Sequence, residues 1–520
     1  MNNYKKIAIA IIALLSLLVV LNIGLNFWIN KQLPKIISDK NETPYAISYT
    51  DLSINLLSRT ISAEGIAIIP KKRDTVVNEK LGIYSKIKSI EINDFKIWPI
   101  LFNNKIKASS ITINTPQVLL YKKTEKAINN SKSLSSEVFK PFQEIIVVSK
   151  IKLLKGNLKI IHTQTSQPIL SINNINLEIN GIVINETSLN NTIPFMFDDY
   201  NISGDSLYYK TNEFYHLTAQ NIQTTNKDLK ISKFKLTPEY SRREFTNKLS
   251  KEKDLFTLQL DLIKITALDW GFKNKKPYFN ASKIAIEKLA ANIYRNKIPT
   301  DDLSKKPLYN KLLRDLKFPL KVDTLAIKNS LLVYEEEIDF TKGPGILTFN
   351  EFNLIATNIQ SGFEQKKLKD IKIAINCKFM NNSPFKVHWN FNVLDKKDRF
   401  NFTGKITNLN TASLARFTKP YINATTKGTF DYLEFKIDGN DYNSYETAAL
   451  QYHDLKVTLY QKNGSKKKSI IKSVIANLIV KNDTDDKTTT TTVKTERIPE
   501  KSFFNFLWLN VAGILKQIVI

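Results

Sequence analysis

The sequence predicts a mainly β protein: an N-terminal transmembrane helix, a long antiparallel β-sheet, a few short helices and a C-terminal amphipathic helix. Three observations carry this. One long apolar run lies near the start, period-two alternation fills most of the body, and a second apolar segment closes the chain behind a polar, threonine-rich stretch.

The first run is Ile7–Leu21, apolar apart from Ser16, continuing through Ile23, Leu25, Phe27, Trp28 and Ile29. At ~1.5 Å per residue it reaches roughly 35 Å, enough to span a bilayer. Ile7, Leu14 and Leu21 would face lipid, and Phe27 and Trp28 would sit in the interfacial aromatic belt. Lys5 and Lys6 precede the run, which puts the N-terminus in the cytoplasm and the bulk across the membrane. No small-x-small cleavage site follows Leu21, so a retained anchor is favoured over a signal peptide. A bacterial periplasm is the simplest home for the rest.

Alternation dominates downstream, as in Phe256-Thr-Leu258-Gln-Leu260-Asp-Leu262 and Phe385-Lys-Val387-His-Trp389-Asn-Phe391. Val, Ile, Phe, Tyr and Thr dominate these runs, as a half-buried pleated surface prefers. Roughly 22–28 strands at ~4.7 Å spacing would form a sheet about 100–130 Å across. Four segments share apolar positions in near register: Ile111-x-Ile113 with Val118-x-Leu120, Ile151-x-Leu153 with Leu158-x-Ile160, Ile284-x-Ile286 with Ala291-x-Ile293, and Leu325-x-Ile327 with Leu332-x-Tyr334. Pro116, Gly156 and Ser330 fall at equivalent between-strand positions. These segments suggest an internal repeat. So large an apolar face must close into a sandwich or curl into a trough that holds an apolar ligand.

Helices are expected over Ser131–Ser149, Asp301–Lys317 and Thr411–Tyr421. The expected divisions are an anchor (1–30), an N-terminal β module (31–130), central β-groove repeats (131–300), a C-terminal β module (301–480), a flexible linker (481–501) and a terminal helix (502–520). On a helical wheel Ser502, Asn505, Asn510, Lys516 and Gln517 share one arc. The remaining face, with Phe503, Phe504, Leu507, Trp508 and Ile514, suits a membrane, a groove end or the sheet's own core.

Composition narrows the chemistry. In 520 residues, Lys and Arg number 76 against 49 acids, a net charge of +27. Only nine of those bases are Arg, and the Lys are spread along the chain. That suits a solvated or membrane-facing surface better than a nucleic-acid reader. One Cys, Cys377, excludes a disulfide framework or a multi-cysteine metal centre. The four His are scattered, and no glycine-rich nucleotide loop or nucleophile elbow occurs. His453-Asp454 would diverge on a strand. Glu335-Glu336-Glu337 reads as a charged strand end and Cys377 as a small buried hydrophobe. No catalytic, metal or cofactor residue is assigned.

With anchor and strands placed, the chain resembles the AsmA-like family of bacterial envelope proteins. The likeness rests on Tyr45–Ile61 after the anchor, on the strand-Pro-strand unit Ser110–Tyr121, on Phe402-Thr-Gly404, Lys419-Pro-Tyr421 and Lys427-Gly-Thr-Phe, and on Tyr452-His-Asp-Leu-Lys-Val457. It implies a curled, groove-forming β-sheet tethered to the inner membrane, implicated in phospholipid movement toward the outer membrane and in outer-membrane homeostasis. This chain is short beside the longest bridge-like relatives, which implies an outer-membrane or periplasmic partner, or an oligomer. The expected ligand is a phospholipid or other acyl-chain lipid, not nucleic acid. The expected lining is Ile111, Ile113, Val118, Leu120, Ile151, Leu153, Leu158, Ile160, Ile284, Ile286, Leu325 and Ile327, with Lys at the rims. The alternative is a non-enzymatic assembly or scaffold protein with a closed sandwich core.

Overall fold

The computed structural model describes residues 45–55, 57–71, 81–96, 106–123, 146–182, 195–273, 275–459 and 488–519, with a few isolated positions. The predicted anchor lies almost wholly outside the described residues. Phe27, which is described, is helical and exposed. Among the described residues no helix is long and apolar enough to cross a membrane. Among the described residues the body is one mixed sheet of 23 strands, β1–β23 in chain order. It divides into two compact units, Met1–Asn212 with Leu217–Asn226, and Glu213–His216 with Lys227–Ile520.

Each unit is built around the same motif. In the first, β4 (Gly82–Asn93) pairs antiparallel with β5 (Ile106–Asn114) along one half and β6 (Gln117–Lys122) along the other. Both short strands then run parallel to β7 (Ile146–His162), which returns as β8 (Pro168–Asn180). In the second unit β12 (Asp254–Thr266) pairs with β14 (Lys276–Glu287) and β15 (Ala290–Asn296). These run parallel to β16 (Leu320–Glu337), which returns as β17 (Gly345–Gln360).

The corner between the paired short strands is made the same way twice. Lys155 on β7 and Asn329 on β16 adopt left-handed backbone, φ 54° and 51°. Their amides donate to the side chains of Asn176 (3.1 Å) and Asn353 (3.0 Å) on the returning strands. Each Asn in turn donates from Nδ2 to the carbonyl two residues back, at Asn174 and Glu351, which are themselves left-handed. An extra residue thus bends each long strand, as a β-bulge does, and its ladder donor is satisfied by a side chain rather than lost. Gly156 follows the corner, where a Cβ would make the Leu153 side chain shift, since it would lie 2.6 Å from Leu153 Cδ2. Ser330 takes this place in the second copy, its hydroxyl accepting from the Leu289 amide and donating to the Lys328 carbonyl.

Strands β2 (Asp51–Asn55), β3 (Thr60–Pro70) and β9 (Asp199–Lys210) extend the first unit. The second continues from β11 (Asp228–Pro238) and, beyond β17, as an antiparallel meander. That meander comprises β18 (Ile371–Phe379), β19 (Ser383–Phe391), β20 (Phe400–Asn410), β21 (Ala424–Gly439), β22 (Asn443–Leu459) and β23 (Thr489–Glu496). Helix α1 (Arg242–Lys248) opens on a capping box made by Ser241 and Glu244. Helix α2 (Tyr309–Arg314) is short, and α3 (Ala415–Ile422) follows a 3-10 turn over Thr411–Leu414. The terminal helix α4 spans Phe503–Val519.

Several expectations are corrected. The sheet is mixed, not purely antiparallel, because the repeated segments pair with each other in parallel. Asp301–Lys317 is helical only in α2. Pro307 turns the preceding residue away from the helical region, and the Asp302 side chain closes a turn on Ser304 instead. Of Ser131–Ser149, residues 131–145 lie outside the described residues and Ile146 onward belongs to β7. The threonine run read as linker forms β23, in register with β22 from Asn443 to Leu450. Its β-branched residues suit a strand, and low complexity masked that signal.

If the two corners are one device used twice, Asn176→Ala and Asn353→Ala should each cost about 1 kcal/mol. Urea unfolding of the full chain, read by probes in each unit, should find two losses of similar size.

Candidate binding face

Because side chains alternate across a strand, residues directly opposed in the ladder share a face. In the second unit one such row runs through Leu229, Ile265, Ile284, Leu325, Ala356, Ile373, Trp389, Phe402, Ile437, Glu446 and Val493. The next row on that face begins Ile231, Ile263, Ile286, Ile327, Leu354, Ile375 and Val387. One residue away, on the other face, stand Asp228, Thr266, Lys283, Thr324, Thr357, Lys372, Asn390, Asn401, Asp438, Tyr445 and Lys494. That row is polar across eleven strands, while the next row on its face passes through Ala285, Ala326, Ile355 and Ala374 between Lys264 and His388.

The first unit repeats the pattern. Ile54, Ile61, Ile92, Ile111, Ile151, Ile179 and Tyr200 form one row, and Leu52, Ala63, Ile90, Ile113, Leu153, Leu177 and Ile202 the next. Ser53, Ser62, Glu91, Thr112, Lys152, Glu178 and Asn201 oppose them. Beyond the corner, Val118 pairs with Leu158 and Leu120 with Ile160.

The predicted lining residues therefore meet in pairs: Ile111 with Ile151, Ile113 with Leu153, Ile284 with Leu325 and Ile286 with Ile327. Ile111, Leu120 and Ile160 are buried, and the other nine are half-buried. Lysines expected at rims stand instead on the polar face, as Lys152, Lys283 and Lys372 do.

Helix α4 covers the far end of the second unit's apolar rows. Phe503 stacks on Trp389, ring centroids 4.7 Å apart, and meets Phe400 edge-on at 5.1 Å. Phe506, Ile514 and Ile518 are buried with Phe402, Phe435, Ile437 and Leu450 in one core. Gly404 and Gly439 admit the rings of Phe435 and Phe400. A Cβ would lie 2.3 Å and 2.4 Å from those rings' Cζ atoms. Of the predicted contact residues, Phe503 and Ile514 are thus spent on the sheet, Leu507 and Trp508 are half-buried, and Phe504 is 63% exposed. Asn510, placed on the polar arc by the wheel, is fully buried.

That burial has a partner. The Ser444 hydroxyl lies 2.8 Å from Asn510 Oδ1 and 2.7 Å from Glu446 Oε1, with all three residues fully buried. Glu446 Oε2 has no close hydrogen bond, only the neighbourhood of the Thr495 hydroxyl. Burial raises the Glu446 pKa, against the pull of its hydrogen bonds from Ser444 and Thr495.

Glu335-Glu336-Glu337 do close a strand, the end of β16, but they form a second polar cluster in which all three are buried. Arg242 holds Glu335 through two bonds of 2.7 and 2.8 Å, with Asn292 at 2.5 Å. Glu336 accepts from Tyr334 and Tyr421, and Glu337 from Tyr294 and Asn296. Burial pushes the Tyr294 hydroxyl up to about 12. Three consecutive acids on one strand gave no sign of these partners, which apart from Tyr334 come from α1, β15 and α3. A cleft of about 370 Å³ opens nearby, lined by Glu252, Arg295, Tyr309, Phe503 and Phe504 among others.

His453 pairs with Asp431 at 2.8 Å rather than with Asp454, on an exposed surface. Cys377 is buried, and burial pushes its thiol up to about 12.

No family model and no curated protein matches the chain. Among solved structures, the crystal structure of a sex pheromone staph-cAM373 precursor aligns with 65% of this chain and 89% of its own, at 8% identity and a TM-score of 0.10. So slight a likeness carries no argument.

Two outcomes follow. Gly404→Ala should cost about 2 kcal/mol, because the Phe435 ring has nowhere to move in a packed core; thermal unfolding checks this. The raised Glu446 pKa gives stability that is fully present below the ordinary value of 4.5 and lost as pH rises through the raised one. Wild-type stability minus that of Glu446→Gln should therefore fall over that window, as read by urea titrations across pH.

Proposed function

We propose that this chain binds the acyl chains of phospholipids along the apolar rows of its sheet. It does so from the periplasmic side of a bacterial inner membrane, held there by its N-terminal apolar segment. The role would be passage of phospholipid toward the outer membrane and upkeep of that membrane. The observation carrying this reading is the face made by β11 to β18. Ile231, Ile263, Ile286, Ile327, Leu354 and Ile375 are all half-buried on one side, while the other carries Lys264, Lys283, Thr324, Thr357 and Lys372 among small residues and Ile355. A soluble protein rarely leaves so extended an apolar surface without an occupant.

Transport along such a face would be passive solvation. Each acyl CH₂ transferred from water gains about 0.8 kcal/mol wherever it lies on the rows. Movement from row to row would therefore cost little, and direction would come from a partner or a gradient. The resemblance of Tyr45–Ile61 and Ser110–Tyr121 to the AsmA-like family supports the envelope setting.

A second reading, an assembly or scaffold protein with a closed core, is favoured by α4 alone, whose packing makes β19–β22 a dry interior. Photocrosslinkers at Ile113, Leu158 and Ile327, with Thr112 and Thr324 as controls on the polar face, separate the two. Lipid adducts at the first three and none at the controls are expected. Adducts only to protein side chains would leave the scaffold reading standing and end the lipid-binding one.

A further inference from the structure

We propose that α4 is an internal occupant of the lipid-binding rows, a plug whose release opens β19–β23 to acyl chains. This rests on the lipid-binding reading above. The register is the first support. The row that is half-buried at Ile284, Leu325 and Ile373 runs on through Trp389, Phe402 and Ile437 with the same face and direction. At Trp389 the row turns aromatic and gains a cover, since Phe503 of α4 stacks there and Tyr309 of α2 meets the same ring at 5.1 Å. The helix thus lies where the sheet alone would present a continuous apolar surface.

The second support is how imperfectly the helix is seated. Most polar groups buried in a permanent core are paired. Beneath α4 the fully buried Glu446 leaves Oε2 without a close hydrogen bond, and the indole Nε1 of Trp389 and of Trp508 and the Asn505 Oδ1 are unpartnered. Glu446 and Trp389 stand on the sheet beneath the helix, while Asn505 and Trp508 belong to the helix itself, Trp508 facing Phe417 of α3. Their desolvation weakens docking, and water or a lipid headgroup would satisfy them once the helix lifts. Glu446 is also dispensable to its neighbours. Without it the Ser444 hydroxyl still reaches Asn510 Oδ1, and Asn510 Nδ2 still donates to the Phe506 carbonyl. A residue kept for stability alone would be apolar here.

The test uses the full chain and a phosphatidylethanolamine/phosphatidylglycerol vesicle carrying a phospholipid with a diazirine in its acyl chain, with adducts mapped by mass spectrometry. A Cβ on Gly513 would lie 3.3 Å from Val493 Cγ1, so Gly513→Cys with Val493→Cys can lock α4 onto β23. In the reduced protein, adducts are expected both near Ile327 and on β20–β22. Locking should remove at least nine-tenths of those on β20–β22 and leave those near Ile327 unchanged. Glu446→Leu, which seats the helix better, should lower the β20–β22 adducts several-fold without a lock. Adducts near Ile327 with none on β20–β22 in the reduced protein would overturn the plug while leaving the lipid-binding reading intact. So would adducts on β20–β22 that locking does not change. No adduct near Ile327 would overturn the lipid-binding reading and the plug with it.

Discussion

The constraint on which the structure depends is parity. A strand places successive side chains on opposite faces, so one slipped residue would exchange the apolar and polar faces from that point on. This chain crosses two corners where an extra residue is inserted, at Lys155 and at Asn329, and parity survives both. It survives because the opposing strand is interrupted at the same level, between β5 and β6 or between β14 and β15, and because the returning strand carries its own left-handed residue, Asn174 or Glu351. Asn176 and Asn353 pin the corner by taking the amide that the ladder leaves over. The aligned rows on either side follow from this local chemistry.

From the rows follows the division of labour between the ends of the second unit. Near β14–β17 the apolar side chains are aliphatic and half-buried. From β19 onward they become aromatic, and Gly404 and Gly439 let the rings of Phe435 and Phe400 lie flat across neighbouring strands. The aromatic stretch accepts the helix α4. The polar faces are held by side-chain pairs such as Lys150 with Glu178 at 2.5 Å and Asn401 with Asp438 at 2.5 Å. Such exposed contacts add little stability each but disfavour a slipped register.

Much of this was legible in the sequence because period two is a strong signal when Ile, Val and Thr carry it. The alternation gave the β class, and the echo of Ile111-x-Ile113 in Ile151-x-Leu153 marked segments that prove to be ladder partners. It could not give their direction, because a parallel and an antiparallel neighbour need the same apolar spacing. Glu335, Glu336 and Glu337 were legible as a strand end but not as buried, because their partners Arg242, Tyr421 and Tyr294 are distant in sequence or on another strand. Asn510 misled because a helical wheel has no knowledge of Ser444. The threonines of β23 misled because repetition and strand propensity coincide there.

The most direct measurement of the central claim is lipid analysis of the full chain purified from a bacterial membrane in mild detergent. Wild type should carry phospholipid beyond the detergent background. Ile284→Asn, Ile286→Asn, Leu325→Asn and Ile327→Asn combined should strip most of it while circular dichroism keeps the β signature, and Thr324→Ala with Thr357→Ala on the other face should leave it bound. Equal phospholipid on all three proteins, or none on wild type, would contradict the account.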